Sequence, residues 1–203
     1  TLPPQLKYIG KQAFEGHDHV SKFTLENDPS YEEGLEIQWG AFGWVGNQGS
    51  GFSVTLPSRT THVYDNAFQS TKIRTFSILN AEKDKEVYGT RPTKKYKLEL
   101  GSNILNYGSS PTTPYVYIYD RGSESVGTGT NYFTVTINTS TFSSSNIDEF
   151  GQYNQGCLEV FLPSSVIVSN NGYKSPLFPK NGRVTLYFSD KIKTDFGGDF
   201  DLI

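Results

Sequence analysis

The stretch IGKQAF at residues 9–14 returns as IQWGAF at residues 37–42 and as VYDNAF at residues 63–68. Each copy begins with a β-branched aliphatic residue, and Ala-Phe follows at the fifth and sixth positions. The three phenylalanines, at positions 14, 42 and 68, are 28 and 26 residues apart. Self-similarity with a period of about 20–50 residues is the sequence signature of a stacked repeat protein. We therefore interpret the first 80 residues as three similar units.

Each Ala-Phe pair is followed by a polar turn and then by a short alternating segment, FTL at 23–25, FSVTL at 52–56 and FSI at 76–78. Alternation with a period of two predicts strands that bury one face. A unit this small cannot bury its apolar face alone, but it can do so against its neighbours. The repeat frame therefore predicts these core residues: Ile9, Ala13, Phe14, Ile37, Ala41, Phe42, Val63, Ala67 and Phe68.

Beyond residue 80 the frame is looser, but alternating segments between turn-forming residues predict strands at 96–100, 115–119, 133–137, 158–162 and 184–188. The last strands resemble the first, so we expect one continuous parallel sheet in a single irregular domain over residues 1–203. Within it, 1–80 would be regular repeats and 157–203 terminal repeats. Residues 81–156 are either divergent repeats, which we favour, or an inserted β-segment.

The segments LPPQLKYIGKQAF at 2–14 and LPSRTTHVYDNAF at 56–68 resemble the BspA-type leucine-rich repeat. The unit of that family reads roughly Leu-Pro-x-x-hydrophobic-x-x-Ile-Gly-x-x-Ala-Phe, followed by a turn and a strand. The resemblance is clear over residues 1–80 and weaker toward the C-terminus. It implies a leucine-rich repeat solenoid of the right-handed β/α superhelix class, with mostly short parallel strands, turns and few short helices. It also implies a secreted or cell-surface protein of the adhesion type. Because the end coil of a repeat stack needs covering, we expect a cap or further units before Thr1.

Composition excludes several classes of partner. The net charge is −3 and the 18 Lys and Arg residues are scattered, so no nucleic-acid partner is expected, because phosphate contacts need clustered cations. No apolar run approaches the roughly 18 residues of a membrane span, so we expect no membrane insertion within this fragment. The single cysteine, Cys157, excludes an intrachain disulfide and a cysteine-based zinc site. The mixed-charge run at 82–86 is interpreted as a solvated turn.

Three candidates for reactive chemistry were weighed against structural interpretations. His17, Asp18 and His19 lie in the turn that follows the first Ala-Phe, and His62 supplies no obvious third ligand, so we predict no metal and no cofactor. The motif DFGGDFD at 195–201 lacks the sequence context of a nucleotide-binding enzyme. No Gly-x-Ser-x-Gly stretch is present. We therefore predict a protein that is not an enzyme.

The outward positions of the predicted strands are the candidate ligand contacts. With Ser53 beside them, they are Thr24, Thr55, Ser77, Glu159, Phe161, Thr185 and Tyr187. We expect them to bind a protein or glycan of a host or a neighbouring cell. Two alternatives stay open, a carbohydrate-processing enzyme with its site in residues 81–156 and a structural spacer.

Aromatic residues supply further expectations. Trp39 follows the aliphatic residue of the second frame, and we expect it to be buried. The tyrosines at 115, 117 and 119 alternate with Val116 and Ile118, so one of the two sets should face outward.

Overall fold

The structure is a computed structural model that describes residues 1–23, 25–28, 30–46, 51–69, 71, 73–105, 115–119 and 121, with only the backbone of residue 52 and of the strands beyond 121. Within the described residues the chain forms one helix and short strands. In chain order these are β1 (Tyr8–Ile9), β2 (Leu35–Ile37), β3 (Phe52–Leu56), β4 (Thr60–Val63), β5 (Ile73–Ile78), α1 (Ala81–Tyr88), β6 (Leu98–Leu100), β7 (Tyr115–Ile118), β8 (Ser123–Val126), β9 (Gly129–Tyr132), β10 (Val135–Asn138), β11 (Cys157–Leu162), β12 (Val166–Ser169) and β13 (Arg183–Phe188).

Most of these strands pair in parallel, and they divide between two sheets. The first sheet has the order β1-β2-β4-β6-β10-β12, and the second has the order β13-β11-β7-β5-β3. From β2 to β7, successive strands alternate between the first and the second sheet. The expectation of one continuous sheet is therefore wrong. That expectation gave each unit only one strand. Each unit also has a second strand, β1, β2 or β4, which ends at the aliphatic residue of the repeat frame.

The aliphatic residues of the repeat frame form one row across the first sheet. Ile9 is in register with Ile37, and Ile37 with Val63. The same row continues through three residues that the sequence frame did not include: Leu100, Ile137 and Val168. Ile9, Ile37, Val63 and Leu100 are all buried. From β1 to β6, this aliphatic row buries one face of the first sheet.

The phenylalanines of the repeat frame are stacked on one another. The ring centroids of Phe14 and Phe42 lie 5.2 Å apart at an interplanar angle of 13°, and those of Phe42 and Phe68 lie 4.9 Å apart at 2°. The backbone follows the same stacking, because the amides of Phe14 and Phe42 donate to the carbonyls of Ala41 and Ala67, each at 2.8 Å. These contacts place the frames of three units directly above one another.

Burial of the frame falls off at the first unit. Ala41, Phe42, Ala67 and Phe68 are buried, but Ala13, which was expected in the core, is exposed, and Phe14 is only half-buried. The physical reason is that no described unit packs on the outer side of the first one.

A fourth unit, LGSNIL at residues 100–105, continues the ladder with altered residues. The amide of Phe68 donates to the carbonyl of Ile104 at 3.0 Å, so Ile104 and Leu105 take the places of Ala and Phe. The residue before the Ala position has positive φ in all four units: Gln12 at 56°, Gly40 at 62°, Asn66 at 58° and Asn103 at 50°. The shared left-handed turn shows that the fourth unit is built like the others although Ala-Phe is replaced.

Helix α1 occupies the run that was interpreted as a solvated turn, and that interpretation is wrong. The side chain of Asn80 accepts a hydrogen bond from the amide of Lys83, which caps the N-terminus. Gly89 ends the helix with φ 82°. The mixed-charge pattern did not predict the helix that these two caps enclose. It also did not predict that the side chain of Asp84 is completely buried.

Residues 81–156 contribute β6, β7 and β10 to the two parallel sheets, while β8 and β9 pair with each other as an antiparallel hairpin. Apart from the fourth unit at 100–105, the choice between divergent repeats and an inserted segment for residues 81–156 stays a prediction. In the part of the chain that the structure describes, no helix has the length and apolarity needed to cross a membrane.

Candidate binding surface

The described side chains of the second sheet, on β3, β5 and β7, form one buried face and one outward face. Val54, Phe76 and Val116 are in register with one another and are completely buried. On either side of this apolar row, two rows alternate with it and form what we call the outward rows. The upper outward row is Thr55, Ser77, Tyr117, Phe161 and Tyr187, and the lower outward row is Ser53, Thr75, Tyr115, Glu159 and Thr185.

The backbone register brings most of the predicted contact residues together. Four of them share the upper outward row, and Glu159 and Thr185 share the lower one. Thr24 lies outside the described residues. Ser77 differs from the expectation, since only 9% of it is exposed. Its small side chain lies between the larger neighbours Thr55 and Tyr117.

Three tyrosines of β7 and the residue after it form a ladder. The rings of Tyr115 and Tyr117, and those of Tyr117 and Tyr119, stack with centroids 6.4 Å apart in both cases. Because Val116 and Ile118 are buried, the tyrosines are the outward set. The ammonium of Lys83 lies 5.7 Å from the centroid of Tyr119. Alternation with buried aliphatic residues was the signal that could have placed Tyr115 and Tyr117 among the contact residues.

A groove of about 510 Å³ includes one end of these rows. It lies between α1, strands β3 and β5, and the segment 21–25. It is lined by Ser21, Lys22, Phe23, Leu25, Gly51, Ser53, Thr55, Arg74, Val87 and Tyr88. Among the lining residues that the structure describes, the charged ones are the cations Lys22 and Arg74, and none is acidic. The groove therefore combines positive charge, hydroxyl groups and aromatic rings.

Arg74 reaches the groove through an irregularity in the strand pairing. Phe52 is in register with Ile73, but the next residue, Ser53, is in register with Thr75, so Arg74 has no partner in β3. An extra residue of this kind is a β-bulge, which re-aims the side chain that it carries. Arg74 is exposed, and neither it nor Lys22 forms an ion pair with any described residue.

A buried polar network lies behind the sheets and joins the first three units. Arg59, 2% exposed, donates to the carbonyls of Pro4 and Leu6 at 2.7 Å each, to the carbonyl of Glu33 at 3.3 Å and to the side chain of Asn27 at 3.1 Å. Burial lowers the pKa of Arg59 from its ordinary value. Because every one of these acceptors is a carbonyl or an amide oxygen, the network holds the units together rather than offering a reactive group.

Asp84 of α1 is the acidic member of this network. Its carboxylate accepts hydrogen bonds from the amide of Ser58 at 3.1 Å and from the Ser58 hydroxyl at 2.6 Å. Burial raises its pKa above the ordinary value, although the bonds from Ser58 oppose the shift. Arg121 donates to the carbonyl of the same serine, and burial lowers the pKa of this guanidinium to about 10.

The histidines do not assemble a reactive centre within the described residues. His17 is exposed, with Nδ1 3.0 Å from the carbonyl of Phe14 in the turn. His62 lies in register with Glu36 and Glu99 on the first sheet, with 3.7 Å between its Nδ1 and the carboxylate of Glu99. Within the described residues no group of three or more His, Cys, Asp or Glu side chains is arranged to hold a metal ion.

The tryptophans lie at the surface. Trp39, which was expected to be buried, is 36% exposed, with the ammonium of Lys11 4.9 Å from its ring. Trp44 is 43% exposed. Both follow the frame's buried aliphatic residue in turns, so their rings project outward.

Comparisons with protein-family models, with curated proteins and with solved structures found no match for this chain.

Proposed function

We propose that the chain is a leucine-rich-repeat-like solenoid of a secreted or cell-surface protein, and that it binds a protein or glycan through the outward rows of the second sheet without catalysing a reaction. Support for the solenoid comes from the strands that alternate between two parallel sheets and from the phenylalanine stack. Each unit repeats the same hydrogen bonds to the next, as expected when stability comes from nearest-neighbour contacts.

The register of the outward rows is the observation that carries the binding proposal. Five strands bring the residues of each row into register, and on the middle strand these residues are tyrosines. Aromatic side chains present large rigid contact area at a small cost in conformational entropy, which suits recognition. Residues in the outward rows can be substituted without altering the apolar row between them. The surface can therefore determine ligand specificity while the core stays the same.

The test is a binding screen against a glycan array and immobilised extracellular-matrix proteins. A variant with Thr55→Ala, Tyr117→Ala and Phe161→Ala removes three members of the upper outward row. We expect this variant to weaken binding of the retained ligand at least about tenfold, which corresponds to about 1.4 kcal/mol. The matched control is a variant with Glu36→Ala, His62→Ala and Glu99→Ala, three residues in register with one another on the first sheet, and it should keep the affinity.

Three results would contradict the proposal. Equal loss in both triple variants would place the ligand elsewhere. Failure of the wild-type chain to retain any ligand would favour the spacer alternative. Cleavage of an arrayed glycan during incubation would favour the carbohydrate-processing alternative.

A further inference from the structure

The groove next to the outward rows is distinguished by its charge. The chain carries a net charge of −3, yet the charged residues that line the groove are Lys22 and Arg74, with no acidic lining residue among those described. The carboxylates of the adjacent helix are engaged elsewhere, since Glu86 pairs with Lys83 at 2.6 Å and Glu82 pairs with Arg91 at 2.7 Å. A groove of this polarity suits an anionic ligand.

The cations come from two separate segments of the backbone. The bulge in β5 exposes Arg74 next to the outward residues Ser53 and Thr75. Lys22 is exposed and lies in the segment before Leu25, which pairs with Leu2 in an isolated parallel bridge. A guanidinium binds a carboxylate or a sulfate with two parallel hydrogen bonds, whereas an ammonium acts as a point charge. The pair therefore provides one directional and one adaptable anion contact.

The uncharged lining favours a saccharide over a peptide. Hydroxyl groups of Ser21, Ser53 and Thr55 lie in the groove together with the rings of Phe23 and Tyr88. Sugar rings bind proteins through hydroxyl hydrogen bonds and through contact of their C–H faces with aromatic rings. The volume of about 510 Å³ lies within the range of small-ligand sites, roughly 300–1,000 Å³, and exceeds what a single small anion needs.

We propose that this groove binds an acidic saccharide, with Arg74 and Lys22 contacting its carboxylate or sulfate groups and with Phe23 and Tyr88 contacting its sugar rings. This inference rests on the proposed binding function and names the ligand class for one part of the outward surface. The tyrosine ladder continues the aromatic surface away from the groove, so a longer chain would extend from Arg74 toward Tyr115, which is in register with Thr75.

The test uses the full chain and immobilised hexasaccharides of three kinds: uronic-acid-containing, sulfated and neutral. A poly-glutamate peptide of similar charge is the fourth probe. We expect retention of one or both acidic saccharides, with affinity that falls as ionic strength rises, because the contacts are between partly exposed charges. We expect weaker retention of the neutral saccharide and of the peptide.

Arg74→Ala and Lys22→Ala should each weaken binding of the acidic saccharide about tenfold, and Arg74→Lys should recover only part of the loss. The matched control is Lys97→Ala, which removes an exposed cation outside the groove and should keep the affinity. Thermal unfolding of each variant verifies that the fold is kept. A Phe23→Leu variant tests the ring contact and should weaken binding of both acidic saccharides.

Four outcomes would overturn the inference. Acidic saccharides that bind equally well to Arg74→Ala and to wild type would place the anion contact elsewhere. Preference for poly-glutamate would assign the groove to an acidic peptide, and preference for the neutral saccharide would remove the role of charge. In the fourth outcome, the wild-type chain retains none of these probes but still binds a ligand from the array or the matrix proteins that the upper-row triple variant does not bind. That result would refute the groove assignment and leave the proposed function standing.

Discussion

Arg59 joins the first three units through its hydrogen bonds. Its planar fork reaches backbone carbonyls at residues 4, 6 and 33, so one side chain joins segments far apart in sequence. Tyr31 lies 5.3 Å from the guanidinium and covers it. The sequence did not reveal this role, because LPSRTT at 56–61 resembles an exposed turn. No local pattern indicates that Arg59 will bond to carbonyls at residues 4, 6 and 33.

We predict that Arg59→Met destabilises the protein by about 3 kcal/mol, because it removes the four hydrogen bonds of a buried guanidinium while keeping most of the side-chain volume. Urea denaturation of the wild type and the variant measures the change. Arg74→Met is the matched control, because Arg74 is exposed, and it should shift the free energy of unfolding by no more than about 0.5 kcal/mol. Similar shifts for the two variants would contradict the network.

Asp84 makes stability depend on pH. Since burial raises its pKa in the folded chain above the ordinary 3.8, the folded state binds the proton more tightly than the unfolded state does. The stabilising effect of protonation is complete below 3.8 and is lost as the pH rises through the raised pKa. We therefore predict that the free energy of unfolding of wild type, relative to Asp84→Asn, is larger at about pH 3.5 than at pH 7.

Denaturant titrations of both proteins at the two pH values give this difference directly. The comparison cancels the titration of the other carboxylates, which both proteins share. A difference that is constant, or that is larger at pH 7, would mean that the pKa of Asp84 is not raised.

At the scale of elements, the sequence predicted what period-two alternation encodes. The predicted strands at 115–119, 158–162 and 184–188 agree with β7, β11 and β13 to within a residue or two. Alternation did not reveal the division into two sheets, because β1 has two residues and β2 has three, which is too short for a period to be recognised. Helix α1 was missed for a different reason, since its caps Asn80 and Gly89 enclose a run that reads as solvent-exposed charge.

The contact between the third and fourth units supplies a prediction at this scale. Gly101 follows Leu100 as Gly10 follows Ile9, so the two glycines occupy the same position of the repeat. A β-carbon on Gly101 would lie 2.6 Å from the amide nitrogen of Asp65 and 2.9 Å from the carbonyl carbon of Tyr64. One on Gly10 would have no neighbour within 4 Å.

We therefore predict that Gly101→Ala destabilises the chain by about 1–3 kcal/mol, because backbone would have to move. Gly10→Ala should change the free energy of unfolding by less than about 0.5 kcal/mol. Thermal unfolding of both variants under one condition makes the comparison. Equal effects would mean that the fourth unit does not pack on the third as described.

At the scale of the whole molecule, a single frame of six residues was enough to predict stacking but not its extent. The frame fixed Ile37, Phe42 and Phe68 in the core, where they lie. The frame was not recognised beyond residue 68, because the fourth unit has Ile-Leu in place of Ala-Phe. It keeps the same backbone turn and hydrogen bond, which do not require the original side chains. The outward rows could be predicted by alternation. The groove could not, because it is formed by the bulge of β5, helix α1 and the segment 21–25, which are far apart in sequence.

The stack of phenyl rings connects these scales, because the aligned units position the outward rows as well as the core. Its most direct measurement is a set of nuclear Overhauser effects between selectively labelled phenylalanine rings in solution. Stacked units predict ring-to-ring contacts from Phe42 to both Phe14 and Phe68, whose centroids lie 5.2 and 4.9 Å away, and none between Phe14 and Phe68. Assigned spectra in which Phe42 contacts neither of the other two rings would contradict the stacked units and, with them, the proposed binding surface.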